Sequence, residues 1–167
     1  MKKSRHARAL TAVALAAAAV LSAAGPASAD VRPTRHCAAD EVMPRIGEGS
    51  SPRPGTTRLF TVGFRTVNGT SCLLSGALDF IRFYDTSGRP LDVRFSTKAA
   101  VAPFEDVWVD GFRWAAVYIS SPAGDGGMPI GSMAFSAPTT PAAEFTAAWP
   151  GPVNGPLYIS KITAPVS

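Results

Sequence analysis

Histidine is nearly missing from this sequence. There are two, His6 and His36, and only His36 lies beyond residue 29. A serine or cysteine nucleophile needs a base beside it, most often histidine. His36 sits next to Cys37 in a Pro- and Arg-rich stretch, where it reads as an exposed neighbour of a bridged cysteine, so no catalytic residue is expected. Cysteine is equally scarce. Cys37 and Cys72 stand far apart with no CxxC, which argues against a thiol redox pair or a zinc site. His36 with Met43, Met128 and Met133 would offer soft ligands to Cu(I), but the four are scattered and Met133 falls at an interior-facing strand position. Neither a metal nor a cofactor is expected.

A second long apolar run is also lacking. Residues 1–29 carry Lys2, Lys3, Arg5 and Arg8, an apolar run from Ala9 to Leu21, and the small-residue sequence Ala27-Ser28-Ala29. That is the layout of a cleaved export signal, with the cut before Asp30. The run is too short for a stable membrane span, and nothing later approaches about 18 apolar residues. Cys37 is not framed by a small-residue lipobox, so neither a membrane span nor a lipid anchor is expected. The expected location is secreted or extracellular, with the cell envelope possible.

Basic excess disappears with the signal. Its four charges are all positive, so the remainder holds twelve Lys plus Arg against twelve Asp plus Glu, a formal charge of zero. No Lys/Arg cluster survives, and nucleic acid is not an expected partner. The remaining 138 residues suit one domain with one core. In an exported chain two cysteines most simply form a disulfide, and a loop of about 36 residues closed this way contributes on the order of 4 kcal/mol in the chain-entropy model.

What is present is a period of two. In Leu59–Leu91, Phe60, Val62 and Phe64 alternate with Thr61, Gly63 and Arg65, Asn68-Gly69 supplies a tight reversal, and Ile81 and Phe83 alternate with Arg82 and Tyr84 before a turn at Asp85–Gly88. Before this, residues 30–58 read as a Pro/Arg/Gly-rich arm with one short strand near Glu41–Ile46 and a loop over Gly47–Gly55. After it, residues 59–167 form the rest of the domain, which as a whole spans about 37–163. Cys72–Leu74 begins a strand that Asp79–Tyr84 either continues or follows as a separate one after a break at Gly76, and Arg89–Phe95 puts Leu91, Val93 and Phe95 on one face. Phe112–Ser120 has apolar residues on both sides and reads as a central strand. Ala142–Trp149 is the nearest approach to a helix. Seven or eight short strands between turns fit an all-β, two-sheet antiparallel sandwich.

These strands and turns resemble the actinobacterial secreted "domain of unknown function 4232" family. The resemblance runs through Cys37, the segment FRTVNGTSCLLSG with Phe64, Asn68, Cys72, Leu74 and Gly76, the turn residues Asp85 and Gly88, and VWVDGFRWAAVYIS, where Asp110-Gly111 stands in for a common Pro-Gly. A further cysteine that many members carry has no counterpart here. The resemblance implies an immunoglobulin-like sandwich outside the cytoplasm, and implies no activity.

Four groupings could still carry chemistry. Glu105, Asp106 and Asp110 are the densest acidic patch, and carboxylates in pairs serve glycoside hydrolysis or Ca²⁺. As loop and turn residues they read as solvated. Gly124–Gly127 lacks a following helix and reads as a hairpin tip. Asn68-Gly69-Thr70 is a glycosylation sequon whose turn role already accounts for it. Trp108 and Trp149 are expected to be exposed and form a candidate glycan-stacking pair, while Trp114 is expected in the core. The function expected is a non-enzymatic interaction domain at or near the envelope, with an unknown protein or a cell-wall component as partner. A carbohydrate-binding module is the first alternative, and a small enzyme or inhibitor the second. Mass spectrometry of the exported protein should find a chain starting at Asp30 and lighter by two hydrogens; two alkylatable thiols without reductant would contradict the bridge.

Overall fold

The computed structural model describes residues 32–53, 55–99, 101 and 103–166; the expected signal and its cleavage point lie outside the described residues. A 3-10 turn at Ala39–Glu41 leads into β1 (Val42–Gly49), β2 (Thr57–Thr66), β3 (Cys72–Leu74), β4 (Asp79–Tyr84), β5 (Pro90–Leu91) and β6 (Phe95–Ala99). Then follow β7 (Val107–Val109), β8 (Ala115–Pro122), β9 (Ser132–Ala137), β10 (Ala143–Ala148) and β11 (Leu157–Ser160). One sheet has the order β1-β2-β8-β11-β6, a second β10-β9-β4-β5, and β3 pairs with β7 in a short ribbon. Among the described strands β11 and β6 run parallel, and the other pairings are antiparallel. No helix among the described residues is long and apolar enough to cross a membrane.

The all-β antiparallel sandwich expected from the alternation is present, but with eleven strands rather than seven or eight. The surplus comes from breaks that alternation does not reveal. Of the two readings of Cys72–Tyr84 the separate strand is the one present: the chain breaks after β3 around Gly76, at φ +114°, and β4 enters a different sheet. Arg89–Phe95 is not one strand: β5 closes a hairpin on β4, whereas Phe95 opens β6 beside β11. The helix-like Ala142–Trp149 is mostly β10, its alternation hidden by alanines around Phe145, which packs against Phe135 at 6.1 Å between ring centres. The short strand read near Glu41–Ile46 runs on to Gly49. It pairs with β2 along its whole length and, as an edge strand, tolerates Pro44.

The core lies between the two larger sheets. Phe60, Val62 and Phe64 of β2 and Ala115, Val117 and Ile119 of β8 face Phe83 of β4 and Met133 and Phe135 of β9, all fully or nearly fully buried. Phe64 meets Phe135 edge-on across the gap at 6.2 Å. The centre is filled by Trp149, between Phe60 at 4.7 Å and Phe83 at 5.6 Å. This reverses the expectation that Trp149 is exposed in a loop. Its backbone N–H donates to the Gly131 carbonyl, 3.0 Å away, which folds the Pro/Gly segment inward. Gly131 must be glycine there, because a Cβ would stand 2.6 Å from the Asp85 carbonyl oxygen.

The N-terminal side is tied down more firmly than an arm. Cys37 and Cys72 are disulfide-bonded, with Cα atoms 4.9 Å apart. Backbone bonds from Cys37 to Leu73 and from Leu73 to Arg35 lay this segment beside β3. Glu41 accepts two bonds from the Arg35 guanidinium, at 2.6 and 2.7 Å, and one from the Ala38 N–H, and this holds its carboxyl at about 2, well below its ordinary 4.5.

The Trp149 indole N–H finds no acceptor among the described residues, although it is buried. Two substitutions should therefore separate. Denaturant unfolding should show Trp149→Ala losing about 3–5 kcal/mol, the cost of emptying a large aromatic site. Trp149→Phe should lose less than about half of that, because no hydrogen bond is forfeited.

Candidate functional site

The outward face of the five-stranded sheet differs from an ordinary solvated surface. Strand parity puts Leu59, Thr61, Gly63 and Arg65 of β2 outward, paired with Gly49, Gly47, Arg45 and Met43 of β1 on one side. On the other side stand Ser120, Tyr118 and Ala116 of β8. Tyr158 of β11 faces out opposite Ser120 and is 55% exposed. The floor is thus made of small residues from which aromatic rings rise.

Trp114 is the first of these rings. It precedes β8 and rests its six-membered ring on Gly63, where an added Cβ would lie 3.2 Å from two ring atoms. The Arg65 guanidinium is 5.8 Å from the ring centre. Trp114 was expected in the core, but its partners Tyr118 and Ala116 share its side of β8, and that side faces away from the second sheet. The inward side, Ala115, Val117 and Ile119, already fills the available depth against the opposing phenylalanines.

Trp108 stands nearby on β7, half-buried between the buried Val107 and Val109. Its indole N–H donates to the Ser71 hydroxyl at 2.7 Å, and the Arg113 guanidinium stacks on its ring at 3.7 Å. Asp110 builds that stack. Its carboxylate accepts from the backbone N–H groups of Phe112 and Arg113 and from the Arg113 side chain, each at 2.7 Å. The backbone bond from Arg113 is the largest of the causes that hold the Asp110 carboxyl below its ordinary 3.8. The turn it orders projects Phe112, 95% exposed, at the border of a cleft that Trp108 also lines.

Three clefts line up along this face. One of about 540 Å³ lies between Trp108 and Trp114 and is also lined by Phe112, Glu105 and Asp106. A second, of about 700 Å³, shares Trp114 and continues over Thr61 to Leu59 and Tyr118. The third, of about 310 Å³, shares Leu59 and Tyr118 and ends at Tyr158 and Ser160. Neighbouring clefts share walls, Trp114 between the first two and Leu59 and Tyr118 between the last two, and the C-terminal residues Thr163, Ala164, Pro165 and Val166 also border the first two, with the Val166 N–H donating to the Tyr118 hydroxyl at 2.8 Å. This row of clefts, the outward groove, carries Trp108, Trp114, Tyr118 and Tyr158. No family model, no curated protein and no solved structure matches this chain.

The groove brings together some of the residues singled out in the sequence and scatters others. Of the candidate stacking pair, Trp108 lines it, whereas Trp149 is in the core and cannot meet a ligand there. Glu105 and Asp106 line the Trp108 end, while Asp110 is engaged within its turn. His36 is exposed beside β3, Met133 is buried, and Met43 and Met128 are exposed on other elements. Among the described residues no three His, Cys, Asp or Glu side chains come together. Asn68 and Gly69 have φ of 57° and 69°, the reversal expected of them. Gly124–Gly127 is a loop between β8 and β9, with Asn154 bonded to the Gly124 carbonyl.

Sequence reasoning missed Trp114, Tyr118 and Tyr158 as site residues. A signal existed for Tyr158, which alternates between Leu157 and Ile159 just as Trp108 does between valines. A separate cleft of about 610 Å³ opens between β4 and β6, lined by Phe80, Phe95 and Phe104 with Asp79 as its ionisable group. Phe80 is held at φ 51°, in the left-handed region, and is 73% exposed at an irregularity in the β4–β9 register.

The Asp110 turn has a pH signature. A carboxylate whose folded pKa is depressed contributes stability that is present above its unfolded value and lost as pH falls through the folded one. Tryptophan fluorescence should therefore hold its stacked Trp108 signal as pH falls through 3.8 and change only below it. Asp110→Asn, which keeps the side-chain shape without the charge, should remove that acid transition.

Proposed function

We propose that this protein is a non-enzymatic binding module acting outside the cytoplasm, and that it holds an extended carbohydrate chain in the outward groove of the five-stranded sheet. The observation that carries this reading is the row of aromatic side chains on one sheet face, bordering three neighbouring clefts that share Trp114, Leu59 and Tyr118. Sugar rings present C–H faces that stack on indole and phenol, and hydroxyls that bond to short polar side chains. The groove supplies both, with Trp114, Tyr118 and Tyr158 as platforms and the hydroxyls of Thr61 and Ser120 between them, while Arg113 covers one face of the Trp108 ring and the Ser160 hydroxyl is bonded to the Tyr118 N–H and the Lys161 carbonyl. Such rigid aromatic surfaces contribute contact area with little loss of side-chain entropy.

The disulfide and the export-signal layout of residues 1–29 support a location beyond the cytoplasm. The resemblance of residues 37–163 to the secreted domain of unknown function 4232 family belongs to the same proposal. A protein partner is the second reading, favoured by the exposed Phe80 ring and its cleft between β4 and β6. A partner docked there would be insensitive to changes in the groove.

Pull-down of the mature chain on insoluble polysaccharides and isolated cell walls tests the proposal. Binding should occur, and Trp114→Ala and Tyr158→Ala should each weaken it by roughly tenfold, the loss of one stacking platform. Retention on none of these materials, or retention indifferent to both substitutions, would overturn it.

A further inference from the structure

Resting on the reading of the groove as a carbohydrate site, we infer that its ligand is an anionic glycan, a chain whose rings bear carboxylate or phosphodiester groups. The reason is the placement of charge around Trp114. Arg45 and Arg65 both face outward and are exposed, on neighbouring strands, Arg45 opposite Gly63 and Arg65 opposite Met43. They are thus diagonal neighbours, a separation of about 7–8 Å in an antiparallel pair. Gly63, the residue on which Trp114 rests, pairs directly with Arg45 and stands two residues before Arg65, so both arginines adjoin it on the outward face.

The Arg65 guanidinium reaches to 5.8 Å from the Trp114 ring centre, and Arg45 projects from the adjacent outward position, so both stand at the rim of the clefts rather than in their lining. A sugar stacked on that indole directs its ring substituents toward the rim, where the cations are. Guanidinium is matched to carboxylate and phosphate oxygens by its fork of parallel N–H donors. The sheet offers nothing to cancel this charge at that point: none of the outward positions named on β1, β2, β8 and β11 is a carboxylate.

The carboxylates of the groove, Glu105 and Asp106, lie at the Trp108 end, where Arg32 and Arg113 also line the cleft and Asp110 already engages Arg113. Trp114 borders this cleft as well, so the charges of the cleft are mixed on its Trp108 side, whereas the outward sheet positions on its other side carry Arg45 and Arg65. Anionic groups belong at Trp114, and the hydroxyl-rich, uncharged part of the chain belongs toward Trp108.

Calorimetric titration of the mature chain with four probes tests this. Polygalacturonate carries ring carboxylates, a mannose 1-phosphate oligomer carries phosphodiesters, cellohexaose is neutral, and polyglutamate is a polyanion without sugar rings. At least one of the two anionic glycans should bind roughly tenfold more tightly than cellohexaose. That advantage should fall as ionic strength rises from about 50 mM to about 500 mM. The double variant Arg45→Gln/Arg65→Gln should abolish the advantage, bringing the ratio of anionic-glycan to cellohexaose affinity to about one, whatever the loss of the Arg65 contact does to both affinities through Trp114. Trp114→Ala, or Tyr158→Ala should Trp114→Ala not fold, should weaken every glycan.

Whichever anionic probe binds names the source of the charge. Equal affinity for cellohexaose and the anionic glycans, untouched by the Arg double variant, would overturn the charge inference and leave the groove reading standing. Binding of no glycan at all would overturn both. Polyglutamate bound as tightly as the glycans, and indifferent to Trp114→Ala, would mean surface electrostatics alone and would likewise overturn the inference.

Discussion

The architecture depends on one stacking arrangement, the Trp149 indole held between Phe60 of the five-stranded sheet and Phe83 of the four-stranded one. Sheets packed face to face sit about 10 Å apart, a gap that side chains from both must fill at close-packed density. Here the filling residue comes from neither sheet's strands but from the connection after β10. That connection must turn inward, which it does through the bond from Trp149 N–H to Gly131. Gly131 in turn must pass within contact of the Asp85 backbone. Each step removes freedom from the next, so the loop that looks least structured is the one that sets the spacing of the sandwich.

The same filling explains why an aromatic surface is available outside. β8 is apolar on both sides, and with Trp149 supplying the bulk of the centre its inward side needs only Ala115, Val117 and Ile119. Trp114 and Tyr118 are left on the outer side, with Gly63 giving the indole a flat seat and Leu59, Thr61 and Ser120 keeping the floor low. A groove of this kind needs a rigid floor, and the pairing of β2 with β1 on one side and β8 on the other provides it. The binding role proposed for it follows from chemistry that is fixed in place rather than carried on a loop.

The carboxylates with lowered pKa are engaged locally. Asp85 accepts four bonds from Ser87 and Arg89, Asp110 orders the turn to Arg113, and Glu41 clamps Arg35 and the Ala38 N–H. Hydrogen bonding to the ionised form dominates in each case and draws the pKa down. Such groups shape turns. A perturbed titration is therefore a poor pointer to function in this chain, and the aromatic and cationic placement around Trp114 is a better one.

Local chemistry made much of this molecule legible. The alternation of Phe60, Val62 and Phe64, the reversal at Asn68-Gly69, the turn at Asp85–Gly88, and the pairing of two lone cysteines could be read directly, because each depends on neighbours in sequence or on there being a single possible partner. Strand number, sheet membership and the identity of the buried tryptophan could not. A strand apolar on both sides, such as Phe112–Ser120, carries no mark of which side turns inward, and a tryptophan among prolines and glycines looks like a loop until a distant glycine accepts its N–H. Only the tertiary structure could exchange Trp114 and Trp149. The choice between them is made by the volume left between two sheets, a quantity that no stretch of the chain holds alone.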